Sequence, residues 1–157
     1  MRLRLTRTDS KDPDFLRLVE LLDADLAERD GEDNAFYSQY NGLEQIKHAV
    51  LCYTEQGEAA GCGAMKNVAP GTMEVKRMYV LPSERGTGIA TEVLRELEKW
   101  ADDLKMSRII LETGKRQPEA IRLYEKNGYL RTENFEPYVG IENSVCFEKR
   151  LTQSKQS

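Results

Sequence analysis

Apolar and polar residues recur along this chain with a period that changes from segment to segment. Arg2-Leu3-Arg4-Leu5 alternates charge with leucine, the period-two pattern of a first strand. Asp12 before Pro13 reads as an N-cap followed by proline in the first helical turn. Phe15, Leu18, Val19, Leu22 and Leu26 then fall on one helical stripe. Asp30 to Gly42 follows neither period, and a short helix is predicted around Leu43 to Lys47. Ala49 to Thr54 and Ala59 to Lys66 read as strands about the turn Glu55-Gln56-Gly57-Glu58, whose glycine suits positive φ. Beyond the turn at Pro70-Gly71, Met73 to Val80 is a third strand of this antiparallel meander.

After Val80 the pattern becomes helical. Ile89, Val93, Leu94, Leu97, Trp100, Ala101 and Leu104 share one face at 3.6-residue spacing, which predicts a helix over Ile89 to Leu104. Arg108 to Leu111 reads as a strand. Pro118 opens another helix, which stops at Gly128, a residue suited to the left-handed position past a helix end. Tyr129 to Arg131 and Ser144 to Leu151 are the last strands, and the polar tail Thr152 to Ser157 is expected to be disordered. The order is strand, two helices, three strands, helix, strand, helix, two strands, in a single domain over residues 1–151.

Composition narrows the function classes. A chain of 157 residues can bury one core and still leave a ligand cleft. Apolar residues make up 39% and charged residues 32%, an ordinary globular balance. No apolar run approaches the ~20 residues of a membrane span. The leucines of the N-terminus alternate with charges, unlike a signal peptide. A cytoplasmic protein that does not engage a membrane is the expectation. The formal charge of −4 disfavours nucleic acid as partner, although a local basic patch could still receive an anion. Cys52, Cys62 and Cys146 are scattered and His48 is the single histidine, so no metal site is expected and the cysteines read as reduced, buried apolar residues.

Candidate chemistry gathers where strand turns into helix. Val80-Leu81-Pro82-Ser83-Glu84-Arg85-Gly86-Thr87-Gly88-Ile89-Ala90 runs from a strand through a glycine-containing loop into the strongest helix. The first-turn amides and the dipole of such a helix make an anion site, which Gly86 and Gly88 leave open and Arg85 reinforces. Two nucleotide fingerprints fail here. Thr91 stands where a dinucleotide-binding loop needs its third glycine, and Gly88-Ile89-Ala90 lacks the Lys-Ser/Thr of a P-loop. A plain capping turn would explain the glycines and leave Arg85 without a reason.

Arg85-Gly86-Thr87-Gly88-Ile89-Ala90 resembles the Arg/Gln-x-x-Gly-x-Gly/Ala loop of the GNAT superfamily of N-acetyltransferases. Glu74-Val75-Lys76-Arg77-Met78-Tyr79-Val80-Leu81-Pro82 resembles the fourth strand of that family. Ala120-Ile121-Arg122-Leu123-Tyr124-Glu125-Lys126-Asn127-Gly128-Tyr129 resembles its Ala-x-x-Leu-Tyr-x-x-x-Gly-Phe/Tyr helix. The three motifs stand in order over about Met73 to Tyr129. The resemblance implies an α/β (α+β) fold, with a mixed, mostly antiparallel sheet of about seven strands flanked by helices. It also implies a V-shaped opening between the fourth and fifth strands for acetyl-CoA, the acyl donor.

By the same resemblance, Arg85, Gly86, Thr87, Gly88, Ile89 and Ala90 hold the pyrophosphate. The main chain of Met78, Tyr79 and Val80 pairs with the pantetheine arm, and the Met78 amide faces the thioester carbonyl. The acceptor amine must lose a proton before it can attack. Glu74 matches the position of a family glutamate that accepts it through water, and an ordinary strand glutamate paired with Lys76 or Arg77 is the competing reading. Tyr124 aligns with the tyrosine that points at the departing sulfur and also touches the cofactor, against a tyrosine merely packed on the core. Gln117 replaces the asparagine the family often has before Ala120, and its longer amide arm keeps the same groups. Lys115 and Arg116 are either phosphate contacts or solvated charges.

The acceptor is expected between the first helices and the loop joining the last two strands. Those regions offer Phe36, Tyr37, Tyr40, Phe135, Tyr138 and Asn143, with Tyr37, Tyr40 and Tyr138 as candidate substrate-binding residues or core. His48 is read as structural. A small primary amine such as an amino acid or polyamine is the first reading of the acceptor. A protein lysine or N-terminus is the second, and a non-catalytic acetyl-CoA sensor the third. Family members often form homodimers, and no face of this sequence marks itself for that.

Overall fold

Main-chain pairing gathers the period-two segments into one sheet. The computed structural model describes residues 2–30 and 46–151. Among them the strands are β1 (Arg4–Thr8), β2 (His48–Tyr53), β3 (Ala59–Ala69), β4 (Thr72–Val80), β5 (Arg108–Gly114), β6 (Leu130–Thr132) and β7 (Ser144–Arg150). The helices are α1 (Pro13–Asp30), α2 (Ile89–Asp103) and α3 (Pro118–Lys126). The sheet order is β1-β2-β3-β4-β5-β7-β6, antiparallel throughout except for the parallel pair β4–β5.

Two apolar layers follow from the alternation. On one face Val50, Met65, Met73, Val75, Ile109, Leu111 and Phe147 pack against Ile89, Val93, Leu94 and Leu97 of α2 and Tyr124 of α3. On the other, Ala49, Leu51, Cys62, Ala64 and Tyr79 meet Phe15, Leu18, Val19 and Leu22 of α1. The helix ends are chemically specified. Asp12 accepts the Asp14 amide at 2.9 Å, capping α1. At the end of α3, Gly128 (φ +90°) lets its own amide bond the Glu125 carbonyl and the Tyr129 amide the Tyr124 carbonyl, a Schellman close.

Several expectations shift. The first strand pairs from Arg4 to Thr8, because β2 offers partners there and not to Arg2. α1 runs on to Asp30, where an irregular segment was expected to begin. Leu104, placed on the buried face of α2, is its C-cap and 37% exposed. Of the short helix expected at 43–47, Ile46 and Lys47 are not helical, and 43–45 lie outside the described residues, as do 31–42 and the tail 152–157. The three cysteines are free and buried, and burial pushes Cys62 up to about 12 and Cys52 and Cys146 up to about 11, so none is a thiolate near neutrality. His48 opens β2 with its ring 4.8 Å from that of Trp100. Among the described residues no helix is long and apolar enough to cross a membrane.

Candidate active site

The sheet comes apart at its parallel pair. β4 and β5 are paired from Thr72–Arg108 to Val75–Leu111, and no pair follows. Beyond that point, among the described residues, β4 keeps only β3 as its neighbour while β5 goes on with β7 to Gly114. A cleft of about 460 Å³ occupies the split. Residues from both layers line it, Leu22, Asp25 and Leu26 from α1 and Ile89, Leu123 and Tyr124 from the other side, so it passes through the plane of the sheet.

A β-bulge shapes the β4 wall. Cys62 pairs with Tyr79 and Ala64 with Lys76, so Arg77 and Met78 together oppose Gly63. Strict alternation from Met73 would turn Met78 towards α1. The extra residue turns Met78 towards α2 instead and Tyr79 towards α1. Arg77 carries the distortion at φ +62°, a conformation a non-glycine residue holds only when its surroundings impose it. Its buried guanidinium donates to Asp23 of α1, and the Cys62 thiol contacts its carbonyl at 3.3 Å. Nothing in the amino-acid pattern announced this bulge, since no glycine marks the left-handed position.

The loop after β4 forms the other end of the cleft. A 3₁₀ turn, Pro82–Glu84, is followed by Gly86 at φ +82° and by Gly88 at φ +89°, the N-cap of α2. No heavy atom lies within 4 Å of where a side chain would begin at either glycine. The Thr87 hydroxyl donates to the Glu84 carbonyl at 2.7 Å, holding the loop. Arg85 donates through Nε to the Val80 carbonyl at 2.9 Å and stands over the Tyr79 ring. The first-turn amides of α2 have no carbonyl one turn back to bond.

Glu74 of β4 and Tyr124 of α3 line the same cleft. Glu74 is 8% exposed, with Lys76 Nζ 3.5 Å from its Oε2. Burial raises its pKa, against the opposing pull of Lys76 and Lys66. The paired-glutamate reading therefore describes a real contact, and the carboxyl is nonetheless destabilised as an anion. Tyr124 is 5% exposed, its ring 5.8 Å from Tyr129 and 5.9 Å from Phe147. Burial and then the Glu112 charge push its pKa up, so it keeps its proton through the neutral range.

The matching proteins share this architecture. The model of the acetyltransferase (GNAT) family matches residues 15–129. An IAA acetyltransferase of Azospirillum brasilense is 32% identical over 87% of this chain and 90% of its own. This chain belongs to the GNAT family of acetyltransferases. Like its family it is an acyltransferase that draws on acetyl-CoA. A Bacillus subtilis N-acetyltransferase, YsnE, itself uncharacterised, is 33% identical over 70% of this chain and 76% of its own. Among solved structures, the PaiA N-acetyltransferase of Thermoplasma acidophilum, in complex with coenzyme A, shares the fold at a TM-score of 0.68 and 17% identity, over 96% of this chain and 99% of that one.

Within this GNAT fold the cleft collects most residues singled out above. Met78, Tyr79, Val80, Arg85, Gly86, Gly88, Ile89, Ala90 and Gln117 line it with Glu74 and Tyr124, and Thr87 stands in the loop between its two glycines. Tyr138 lines it too while packing on Cys146 and 5.8 Å from the Phe135 ring, so it belongs to both wall and core. Asn143 and Gln117 flank Gly114, where a side chain would begin 3.0 Å from Asn143 Nδ2 and 3.5 Å from Gln117 Nε2, and the Asn143 main-chain carbonyl accepts the Lys115 amide. Lys115 and Arg116 do not line the cleft, and Phe36, Tyr37 and Tyr40 lie outside the described residues. Glu112 and Lys126 were missed. Glu112 is the first β5 residue past the split, inside the strand, and Lys126 is the last of α3, positions that periodicity does not rank.

Proposed function

We propose that this chain moves an acetyl group from acetyl-CoA to a primary amine of a small molecule, by direct attack with both substrates bound. One observation carries the reading: the β4–β5 split makes a single cleft whose walls hold Glu74, Tyr124 and the glycine loop before α2. The site fits the donor in two respects. The open space over Gly86 and Gly88 admits phosphate oxygens to the α2 amides, and the β4 main chain from Lys76 to Val80 has no strand partner on its β5 side. The relatives named as N-acetyltransferases, YsnE among them, support nitrogen as the accepting atom.

Acetyl-CoA supplies an activated thioester, and the chain's residues handle position and protons. The amide of Met78, a cleft-lining residue within the bulge, is assigned to the thioester carbonyl. The amine arrives as an ammonium, and Glu74 takes the first proton, directly or through water. Nitrogen then bonds to the acetyl carbon as the carbon–sulfur bond breaks. Tyr124 gives its hydroxyl proton to the departing sulfur and is made whole by the second proton of the nitrogen, so a phenol with a raised pKa need not persist as an anion.

Calorimetric titration with acetyl-CoA, coenzyme A and NAD tests the foundation. Stoichiometric binding of both coenzyme A compounds and none of NAD is expected. Absence of coenzyme A binding would overturn the reading.

A further inference from the structure

A second hollow of about 360 Å³ lies against the first, on the α1 side of the sheet beneath the paired half of β4. The two share Glu74, Lys76 and Tyr138, so anything seated in the second reaches the proposed acid–base residue from the face opposite α2. Its floor carries an uneven set of charges. Lys66 stands opposite Glu74 on β3, Arg108 opposite Thr72 on β5, and the loop before β7 adds Phe135 and Tyr138 as a wall, with the exposed Glu136 at its rim. Arg108 bonds Glu148 at 2.8 Å and Thr72 at 3.3 Å, and Lys76 is at 3.5 Å from Glu74. Lys66 forms no salt bridge among the described residues.

Cations beside the buried carboxylate of Glu74, with the exposed Glu136 out at the rim, complement a zwitterion. A polyamine would set its second ammonium against Lys66 and Arg108, and repulsion between like charges in a half-buried groove is costly. A carboxylate placed near the amine would instead gain a charge-assisted partner in Lys66 and leave the amine at Glu74. We infer that the acceptor is a free amino acid, held by its carboxylate at Lys66 and Arg108 with its amine at Glu74 and its side chain along Phe135 and Tyr138. This rests on the acetyl-transfer reading above and sharpens it. The product is the N-acetylamino acid with free coenzyme A. The nitrogen–carbonyl bond replaces the carbon–sulfur bond, and of the two protons leaving the ammonium one reaches solvent through Glu74 and the other ends on sulfur.

The test is thiol release from acetyl-CoA by the full chain with the twenty protein amino acids, their decarboxylated amines and spermidine. At least one amino acid should exceed its decarboxylated counterpart in kcat/KM by roughly ten- to a hundredfold, the usual worth of a charged hydrogen-bonded contact. Lys66→Ala should raise KM for that amino acid by about tenfold without raising KM for acetyl-CoA, Lys66→Arg should restore it, and Lys66→Glu should turn preference towards the decarboxylated amine. If acetyl-CoA binds but spermidine or the decarboxylated amines are the better acceptors, or no amino acid is acetylated, this inference falls and the acetyltransferase reading stands. An unchanged amino-acid KM in Lys66→Ala also overturns it. If acetyl-CoA does not bind, both fall together.

Discussion

The two halves of β4 share a sequence style and differ in what surrounds them. From Thr72 to Val75 the strand has a partner on each side, and its residues are buried. From Lys76 to Val80 it has β3 alone, contains the bulge, and alternates buried with half-buried positions. The first half is closed, and Glu74 is held there by packing, with its anion disfavoured by burial. The second is an edge inside a sheet, with main-chain groups left for something other than protein. A strand that passes from closed to open within nine residues can fix a proton acceptor and still offer a docking edge. Rigidity and vacancy are adjacent because pairing with β5 ends at Val75.

The sharpest way to divide the halves is to remove the carboxyl from the closed one. Glu74→Gln should lower kcat by roughly a thousandfold, inside the range for a positioned base, and leave acetyl-CoA affinity intact because the open half is untouched. In the unaltered chain kcat/KM should rise with pH as Glu74 loses its proton, with a midpoint above the usual carboxylate range because burial outweighs Lys76 and Lys66. That limb should vanish in the variant. The stability sign runs the other way. A carboxyl whose pKa is raised on folding contributes stability below its unfolded pKa and loses it as pH rises through the folded one. The glutamine variant should therefore melt no lower than the parent at pH 7. A melting loss accompanying the activity loss would mean that Glu74 holds structure and does not serve as base.

Tyr124→Phe probes the far wall and should cost less, about a hundredfold in kcat, with coenzyme A affinity retained in a calorimetric titration. Its ring contacts to Tyr129 and Phe147 survive the change, so folding is not at issue. Unchanged turnover would return Tyr124 to the core-packing reading. Equal loss of turnover and of affinity would make it a binding residue.

Legibility in the sequence divides along the same line. α2 was readable because its apolar stripe repeats at the helical period and its start is marked by two glycines, and Asp12-Pro13 and Gly128 carried their caps openly. The closed half of β4 was readable as a strand. The bulge in the open half was not, because Arg77 takes a left-handed backbone for reasons that lie in α1 and β3, namely Asp23 and a Gly63 left without a register partner on β4. Glu112 escaped for a related reason: what brings it to the cleft is the place where two strands part, and parting is a property of neither strand alone. The hollow at Lys66 likewise needs three strands and a loop to exist.

The smallest effect expected should show whether bulge and docking edge are one device. Gly63 opposes the bulge, and a side chain there would begin 2.5 Å from Met78 Sδ, 2.9 Å from Val93 Cγ1 and 3.0 Å from Leu97 Cδ1. The thioether can swing aside, but a valine in a helix has one preferred rotamer, so α2 itself must yield. Gly63→Ala should cost about 1–3 kcal/mol, read as a fall of about 2–4 °C in Tm per kcal/mol. Because Met78 lies in the open half, coenzyme A affinity should fall as well, by a few-fold. Gly57→Ala supplies the contrast: its hairpin glycine sits at φ +84° with no atom within 4 Å, so only backbone strain, on the order of 1 kcal/mol, is added far from the cleft. That variant should lose Tm and keep affinity. If Gly63→Ala does the same, the bulge shapes the sheet without setting the edge, and the assignment of the Met78 amide to the thioester loses its support.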